Sequence, residues 1–333
     1  MTTLYSFTGG EDGSRPESGL VSDPAGNLYG AGTQGGSIGV GSVFELSSAG
    51  NGAWIESTIS LFPDRDGAYP QGGLVADGRG NYYGTTYSGG DAPCTGGYPY
   101  SGCGTVFEVR QSSNGVWASQ IIYSFTGGND SQAPTGNLIF DSAGNLYGAA
   151  AGAGSGTSYG QIFELTQTSE GRWRKVVLHN FTFSDGGSPS GGLVFDAAGN
   201  LYGTTLYGGT SGRYGTAFKL SPNSNGTWTE TTLYSFTGNG DGGYPNGGVV
   251  LDHAGNLFGT TQVGGIGQGY YGAGTVFEIS PGSTGWTQKS IHLFDQQSDD
   301  GGAPLAGLII DESGNLYGTT MALGNTSCGD SLY

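Results

Sequence analysis

Short apolar stretches alternate with glycine-rich and polar turns along the whole chain. Residues 191–196 (GGLVFD) and 201–205 (LYGTT) predict two short antiparallel strands. The Ala-Ala-Gly-Asn turn between them suits a tight hairpin, because glycine and asparagine accept a positive φ. Residues 215–220 (GTAFKL) predict a third strand, and residues 228–236 alternate as a fourth strand would. The pattern therefore predicts a unit of four antiparallel strands.

This unit recurs six times. Its Gly-Asn step falls at Asn27, Asn81, Asn145, Asn200, Asn256 and Asn315, so the period is 54 to 64 residues. A repeat of that length, with four short strands, is typical of a propeller blade. A parallel β-helix is the alternative, but its coils are shorter and lack such hairpins. The sequence thus predicts an all-β fold, a six-bladed β-propeller of four-stranded antiparallel blades, over residues 18–62, 72–125, 136–181, 191–236, 247–294 and 306–333 plus 1–8.

The two ends of the chain complement each other. The chain begins inside a fourth strand, Leu4–Phe7, and residues 328–333 align with the start of the third strand at 103–108. Pairing of the N-terminal strand with the C-terminal blade would close the ring and remove exposed sheet edges. We therefore expect one closed domain over residues 1–333.

The repeat resembles a known family. The motifs Gly-Leu-Val-x-Asp-x-x-Gly-Asn-Leu-Tyr-Gly-Thr-Thr, Gly-Thr-Val-Phe-Glu-Leu and Trp…Leu-Tyr-Ser-Phe resemble the GloVer (Gloeo_Verruco) tandem repeats of bacterial surface proteins. They are more distantly similar to the propeller repeats of two-component regulators and to Asp-box repeats. The resemblance implies a secreted or surface-displayed protein, and it carries no established reaction and no catalytic residues.

Composition and charge restrict the partners. Glycine supplies 70 of 333 residues, a level typical of low complexity, but 40 aromatic residues at fixed offsets supply the apolar area of a folded core. The net charge of −17 argues against nucleic acid. No apolar run approaches a membrane span, and we expect a monomer. The first residues show no signal peptide, which taken literally indicates the cytoplasm, but we favour an extracellular or cell-surface location.

Two recurring aspartate positions are candidates for binding. One precedes each hairpin turn, at Asp23, Asp77, Asp141, Asp196, Asp252 and Asp311. Because a calcium loop needs several oxygen ligands and this motif gives one carboxylate, we expect the aspartate to accept backbone N–H bonds. The other lies in the connector before each first strand, at Asp12, Asp66, Asp130, Asp185, Asp241 and Asp300. Its expected role is turn formation, with a cation or sugar site as the alternative.

Tyrosines accompany the connectors. Alternating strand direction places the connectors and the loops between second and third strands on one face, here called the loop face. The same face carries Tyr98, Tyr100, Tyr159, Tyr207, Tyr214, Tyr270 and Tyr271. Tyrosines beside carboxylates suit sugar rings, which offer an apolar side and hydroxyl edges. The alternative is that the glycine-rich loops fold over their own tyrosines.

Cysteine and histidine complete the inventory. Cys94 and Cys103 bracket an insertion in the second unit and predict a disulfide, which points to an oxidising compartment, whereas Cys328 has no partner in its own loop. The three histidines, His179, His253 and His292, have no metal-ligand spacing and serve no nucleophile. We therefore expect no metal and no cofactor.

These observations predict a non-catalytic extracellular module for binding or display, with a polysaccharide or another cell-surface ligand on the loop face. The first alternative is a polysaccharide-degrading lyase or glycosidase with its site on that face, since glycosidases use two facing carboxylates. The second is a structural surface spacer. Residues that fit no repeated position are where a catalytic site would be sought first, namely Asp64, Asp91, Arg213, Asp295 and Asp299.

Overall fold

A computed structural model describes residues 2–62, 67–92, 94, 102–152, 158–266, 273–295 and 300–321. The chain divides into two compact units, Met1–Asn180 and Phe181–Tyr333. Strands account for nearly all regular structure in the described residues, beside a 3-10 helix at Gly128–Asp130. The predicted all-β class is confirmed. One closed domain over residues 1–333 stays a prediction.

Unit 1 contains three four-stranded antiparallel sheets, each with its strands in chain order. Sheet 1 has β1 Val21–Ser22, β2 Leu28–Gly32, β3 Ser42–Gly50 and β4 Ala53–Leu61. Sheet 2 has β5 Val75–Ala76, β6 Asn81–Thr86, β7 Thr105–Gln111 and β8 Trp117–Ser124. Sheet 3 has β9 Ile139–Phe140, β10 Leu146–Ala150, β11 Gln161–Gln167 and β12 Trp173–Asn180.

Unit 2 repeats this arrangement. Sheet 4 has β13 Gly187–Pro189, β14 Val194–Phe195, β15 Leu201–Tyr207, β16 Thr216–Pro222 and β17 Trp228–Ser235, with β13 and β14 both pairing with β15. Sheet 5 has β18 Val249–Leu251, β19 Leu257–Thr261, β20 Thr275–Gly282 and β21 Gly285–Leu293. Sheet 6 shows β22 Ile309–Ile310 and β23 Leu316–Tyr317 within the described residues. The four-stranded antiparallel unit predicted from the sequence is thus confirmed in sheets 1–5.

The hairpin aspartates have the predicted role. Asp196 accepts hydrogen bonds from the backbone N–H groups of Ala198 and Asn200, from Nδ2 of Asn200 and from the hydroxyl of Tyr202. Gly199 supplies the positive φ of the turn, at 82°. In the other five repeats the hairpin aspartate accepts the corresponding backbone N–H groups in the same way. These aspartates are Asp23, Asp77, Asp141, Asp252 and Asp311.

Buried phenylalanine side chains of successive repeats pack against one another. Phe218 of β16 is fully buried over Gly203, where a Cβ would clash with the phenylalanine ring. Phe181, which enters the sheet from the connector, meets the ring of Phe218 edge-on at 5.2 Å. The corresponding pair in sheet 5, Phe236 and Phe277, has its ring centroids 5.0 Å apart. Sheets 4 and 5 therefore each bury the last aromatic residue of the segment before them, Phe181 and Phe236.

The first strands are shorter than predicted. Residues 191–196 were expected to be a strand, but β14 comprises only Val194 and Phe195. The preceding glycines are used for close packing instead. A Cβ on Gly191 would clash with the backbone of Gly248 in the next repeat. A glycine run therefore forms a backbone contact between repeats rather than a longer ladder.

The N-terminal segment does not form the predicted strand in the described residues, since residues 2–8 pair with no ladder. Its expected partner, residues 328–333, lies outside the described residues. Even so, the hydroxyl of Tyr5 donates to Asp12 at 3.0 Å, and the rings of Phe7 and Phe44 are 4.7 Å apart. These contacts match those that fourth-strand residues make elsewhere, as when Tyr234 donates to Asp241 at 3.0 Å.

The predicted disulfide is present. Cys94 and Cys103 are bonded, with their Cα atoms 5.0 Å apart. Gly127 lies against the two sulfur atoms, with no space for a Cβ. The bond therefore holds the end of the insertion on the connector that precedes sheet 3. Cys328 lies outside the described residues, and a location outside the cytoplasm stays a prediction.

Candidate functional site

The connector aspartates are built into turns. Asp12, Asp130, Asp185 and Asp241 each accept the backbone N–H of a threonine three or four residues earlier, namely Thr8, Thr126, Thr182 and Thr237. Asp300 lies 2.9 Å from Nε2 of His292. The turn role expected for these positions is therefore seen in Asp12, Asp130, Asp185 and Asp241, whereas Asp66 lies outside the described residues. Their role in ligand binding stays a prediction.

A second position faces these aspartates, and the sequence analysis did not single it out. It is the residue two places after the tryptophan of the outermost strand, here called the outer-strand slot. In sheets 1 to 5 the slot holds Glu56, Ser119, Lys175, Glu230 and Gln288. In sheets 1, 3, 4 and 5 the side chain in the slot faces the connector that enters its own sheet. The chemistry of this contact differs from repeat to repeat.

In two repeats the side chain in the slot forms an ion pair or a hydrogen bond with the connector. In unit 1, Nζ of Lys175 forms an ion pair with Asp130 at 2.8 Å. In unit 2, Nε2 of Gln288 donates to the backbone oxygen of Asp241 at 3.2 Å. A cation neutralises the aspartate in the first case, and an uncharged amide adds no charge in the second. Both arrangements pair the polar groups at little electrostatic cost.

Glu230 supplies neither a cation nor an uncharged amide. A carboxylate oxygen of Glu230, one of Asp185 and a ring nitrogen of His179 all lie within 4.8 Å of one another, and the three residues are half-buried. The hydroxyl of Thr232 donates to Oε1 of Glu230 at 3.0 Å. Burial, reinforced by the negative charge of Asp185, raises the pKa of Glu230 to about 7. Glu230 can therefore hold or release a proton near neutral pH.

The backbone around this carboxyl pair is firmly held. Oγ1 of Thr216 donates to the backbone oxygen of Asp185 at 3.1 Å, and Oγ1 of Thr205 donates to the backbone oxygen of Tyr207 at 2.9 Å. The two threonine hydroxyls lie 2.8 Å apart in the interior. Gly187, two residues after Asp185, pairs with Tyr207 in the sheet. Asp185 and Tyr207 are thus anchored on the same buried threonine pair.

Unit 1 carries a related contact. Glu56 occupies the slot of sheet 1, and its pKa is raised, first by burial and also by the charge of Asp12. Thr58 donates to Oε1 of Glu56 at 2.9 Å. Asp12 also accepts a hydrogen bond from the hydroxyl of Tyr5. The pair in unit 2 has the more strongly shifted glutamate.

Of the predicted loop-face tyrosines, Tyr98, Tyr100, Tyr270 and Tyr271 lie outside the described residues. Tyr159 and Tyr214 are half-buried, and Tyr207 is 44% exposed. The structure brings Tyr207 and Tyr214 together around Tyr244, whose ring centroid is 5.6 Å from the first and 5.5 Å from the second. The sequence analysis missed Tyr244 because it sits in a connector position that most repeats fill with a residue that is not aromatic.

The candidates for catalysis that fit no repeated position either lie in different repeats or fall outside the described residues. Asp64 and Asp299 fall outside the described residues. Asp91, Arg213 and Asp295 follow different strands in different repeats. As for metals, a ring nitrogen of His179 joins carboxylate oxygens of Asp185 and Glu230, although the histidines show no metal-ligand spacing along the sequence. One nitrogen and two oxygens fall short of the six to eight oxygen ligands that calcium takes. The carboxyl pair is better suited to proton transfer than to holding calcium on its own.

Comparison with solved structures bears on the fold class. The chain is similar to a Thermus thermophilus protein described as a candidate oxidoreductase (glucose dehydrogenase), at 16% identity over 96% of this chain and 95% of that one, with a TM-score of 0.52. It is also similar to a Bombyx mori β-fructofuranosidase (14% identity, 84% of this chain and 62% of that one, TM-score 0.43). A third likeness is to regucalcin, a calcium-binding protein of Agrobacterium tumefaciens (13%, 86% and 76%, TM-score 0.42). The first match supports a β-propeller-like all-β fold.

The motifs were also compared with known protein families. Residues 174–332 match the Gloeobacter/Verrucomicrobia repeat, which confirms the resemblance of the motifs to that repeat. No curated protein matches the chain. Among the described residues, none forms a helix long and apolar enough to cross a membrane.

The predicted function is corrected by the same comparisons. The sequence predicted a non-catalytic module for binding or display, but the Thermus thermophilus structure that shares the fold is described as an oxidoreductase (glucose dehydrogenase). The prediction rested on the regularity of the repeats, and a regular scaffold does not prevent catalysis, because function belongs to individual positions. At 13–16% identity these likenesses concern the fold and transfer no reaction.

Proposed function

We propose that the chain is an enzyme that cleaves glycosidic bonds by acid–base chemistry, with Glu230 as the proton donor and Asp185 as its carboxylate partner. The observation that carries this proposal is the half-buried carboxyl pair with oxygens within 4.8 Å and a glutamate whose pKa is raised to about 7. Two carboxyl groups in different environments are what a general acid and its charged partner require.

The separation of the two groups favours one stereochemical course. Glycosidases that retain configuration hold their carboxyl groups about 5–5.5 Å apart, and those that invert it about 6.5–9.5 Å apart. Oxygens of Asp185 and Glu230 within 4.8 Å correspond better to the first class. In that course Glu230 protonates the leaving oxygen while Asp185 attacks the anomeric carbon. Water, deprotonated by Glu230, then hydrolyses the glycosyl–aspartate bond.

Other repeats supply an internal argument. The outer-strand slot of sheet 3 holds a lysine that neutralises its aspartate, and that of sheet 5 holds a glutamine without charge. A second acid opposite the aspartate of sheet 4 raises the electrostatic energy of the folded chain. A local conflict of this kind is typical of functional sites. The overall charge of −17 favours an uncharged saccharide over an acidic one.

The test is release of reducing ends by the purified full chain from uncharged polysaccharides. We expect turnover by the wild type and a loss of at least 100-fold for Asp185→Asn. Glu56→Gln is the matched control, because it changes the same slot in sheet 1, and it should retain activity. Turnover that survives Asp185→Asn would place the reaction elsewhere, and absence of turnover on every polysaccharide tried would contradict the proposal.

We also propose that the chain closes as a six-bladed ring in which residues 4–7 complete the sixth blade. The support is that Tyr5 and Phe7 already make fourth-strand contacts, with Asp12 and Phe44 respectively. Deleting residues 2–8 should lower the melting temperature and promote association through the exposed edge. A truncated chain that stays monomeric in gel filtration with an unchanged melting temperature would contradict closure by this segment.

A further inference from the structure

Three tyrosines meet where the loop of sheet 4 touches the connector that enters sheet 5. Tyr207 begins the loop, Tyr214 ends it, and Tyr244 lies in the connector. The ring of Tyr244 packs against both others, at 5.6 Å from Tyr207 and 5.5 Å from Tyr214. This group is called the tyrosine cluster below.

The backbone of the cluster is rigid. The N–H of Tyr244 donates to the backbone oxygen of Tyr214 at 2.8 Å, and the backbone oxygen of Tyr244 accepts from Gln262 at 3.2 Å. Tyr244 has a φ of 55°, an unusual value for a residue other than glycine. The ring of Tyr214 lies directly on Gly238, where a Cβ would clash with it. Two of the three rings are therefore fixed, and Tyr207 leans on Tyr244 with 44% of its surface exposed.

The same three positions in other repeats show that this is not a requirement of the fold. The hydrogen bond from the connector to the end of the loop recurs where sheet 1 meets sheet 2, where sheet 2 meets sheet 3 and where sheet 5 meets sheet 6. The three positions there are filled by Gln34, Val40 and Tyr69, by Ser88, Cys103 and Ala133, and by Val263, Ala273 and Ala303. None of these places more than one aromatic residue. Packing of the connector thus needs no tyrosine, and the cluster in unit 2 is a departure from the repeat.

The cluster adjoins the carboxyl pair. Tyr207 pairs in the sheet with Gly187, two residues after Asp185, so the Cα atoms of Tyr207 and Gly187 lie roughly 4.5–5.5 Å apart. The threonine pair Thr205 and Thr216 fixes the backbone at both Tyr207 and Asp185. The backbone that carries the exposed ring is therefore held close to the backbone of Asp185. A fixed aromatic platform beside an acid–base pair is how an enzyme holds a sugar ring next to the bond it cleaves.

We infer that the tyrosine cluster is a subsite for an uncharged sugar ring, with Tyr207 as the stacking surface and Tyr214 and Tyr244 as its support. The inference rests on the proposed function and deepens it by naming the substrate class and a specificity-determining residue. A sugar presents an apolar side to the ring and hydroxyls to the tyrosine edges. The negative charge of the chain excludes acidic saccharides as preferred occupants.

The experiment measures binding in the Glu230→Gln background of the full chain, so that hydrolysis cannot consume the probe. Affinity electrophoresis is run in gels that contain hydroxyethyl cellulose, laminarin or galactomannan. We expect Tyr207→Ala to weaken retardation by at least 10-fold and Tyr207→Phe, which keeps the ring, to stay within about 3-fold. Tyr87→Ala is the control, because it removes a 36% exposed tyrosine from unit 1 and should change nothing.

The outcomes separate this inference from the proposed function. Retardation that Tyr207→Ala leaves unchanged, or no retardation by any of the three polysaccharides, overturns the subsite. If the wild type also hydrolyses one of them, the proposed function survives that result. Retardation lost in Tyr207→Ala, combined with no hydrolysis by the wild type, supports the subsite and contradicts the proposed reaction. In an active wild type, Tyr207→Ala should raise KM more than it lowers kcat.

Discussion

Glu230→Gln is expected to abolish hydrolysis and at the same time to raise the melting temperature at pH 8. Glutamine keeps an oxygen that accepts the hydrogen bond from Thr232, so the local structure survives. It carries no proton to donate and no charge to oppose Asp185. The substitution thus removes catalysis and relieves electrostatic repulsion, a trade-off between stability and activity.

The pH dependence follows from the direction of the shift. The pKa of Glu230 is raised from 4.5 to about 7 by burial and by Asp185, so the folded chain binds this proton more tightly than the unfolded chain does. Protonation of Glu230 therefore stabilises the fold fully below about pH 4.5, and this contribution is lost as the pH rises through about 7. The wild type and Glu230→Gln should have similar melting temperatures near pH 4.5 and diverge towards pH 8.

Thermal melts of both proteins at half-unit steps from pH 4.5 to pH 8 measure this divergence. Gln288→Ala is the control, because it alters the same slot in sheet 5 without changing the charge. Its melting temperature should differ from that of the wild type by a constant amount across the range. Parallel curves for the wild type and Glu230→Gln would show that Glu230 is not perturbed, and the proposed proton donor would lose its basis.

The second large effect is expected in unit 1. Asp130→Ala should lower the free energy of unfolding by about 3–5 kcal/mol, because it leaves a buried ammonium group without its counter-charge. The side chain of Lys175 is only 4% exposed, and Nζ lies 2.8 Å from Oδ1 of Asp130. The same nitrogen sits 4.6 Å from the centre of the Phe125 ring. The cation is therefore enclosed, and water cannot replace the carboxylate.

Urea unfolding followed by tryptophan fluorescence measures the loss, and a double-mutant cycle tests its cause. Lys175→Met removes the cation and fills the same space, so Asp130→Ala should cost much less in that background. If the two substitutions are simply additive, the aspartate stabilises through its turn hydrogen bonds, from Thr126 and Tyr123, and the ion pair contributes little.

The features that could be predicted from the sequence are those whose interacting residues lie close together along the chain. The hairpins were predicted correctly because Asp196 finds all four of its donors within six residues. The disulfide was predicted because Cys94 and Cys103 are nine residues apart. The first strands were overestimated, because the packing of Gly191 against Gly248 depends on the next repeat, more than 50 residues away.

The candidate site could not be predicted from the sequence. Asp185 is one of six equivalent aspartates, and Glu230, which is 45 residues further on, belongs to no motif that marks it as functional. Likewise, the sequence placed Tyr207 and Tyr214 on one face but did not indicate Tyr244 between them. The outer-strand slot holds glutamate, serine, lysine or glutamine in different repeats, and nothing in the sequence pattern shows which of these side chains meets an aspartate. The regularity of the repeats also led to the wrong prediction of a non-catalytic module.

The sequence by itself determined the repeat, the four antiparallel strands of each unit and the hairpin that joins the first two, because these depend on φ preferences and hydrogen bonds between near neighbours. Only the tertiary structure decided which side chains of different strands and connectors meet. It set Glu230 against Asp185 and Tyr244 between Tyr207 and Tyr214. The physical reason is that burial and electrostatic interaction depend on distance in space, and the packing of connectors on outer strands fixes that distance.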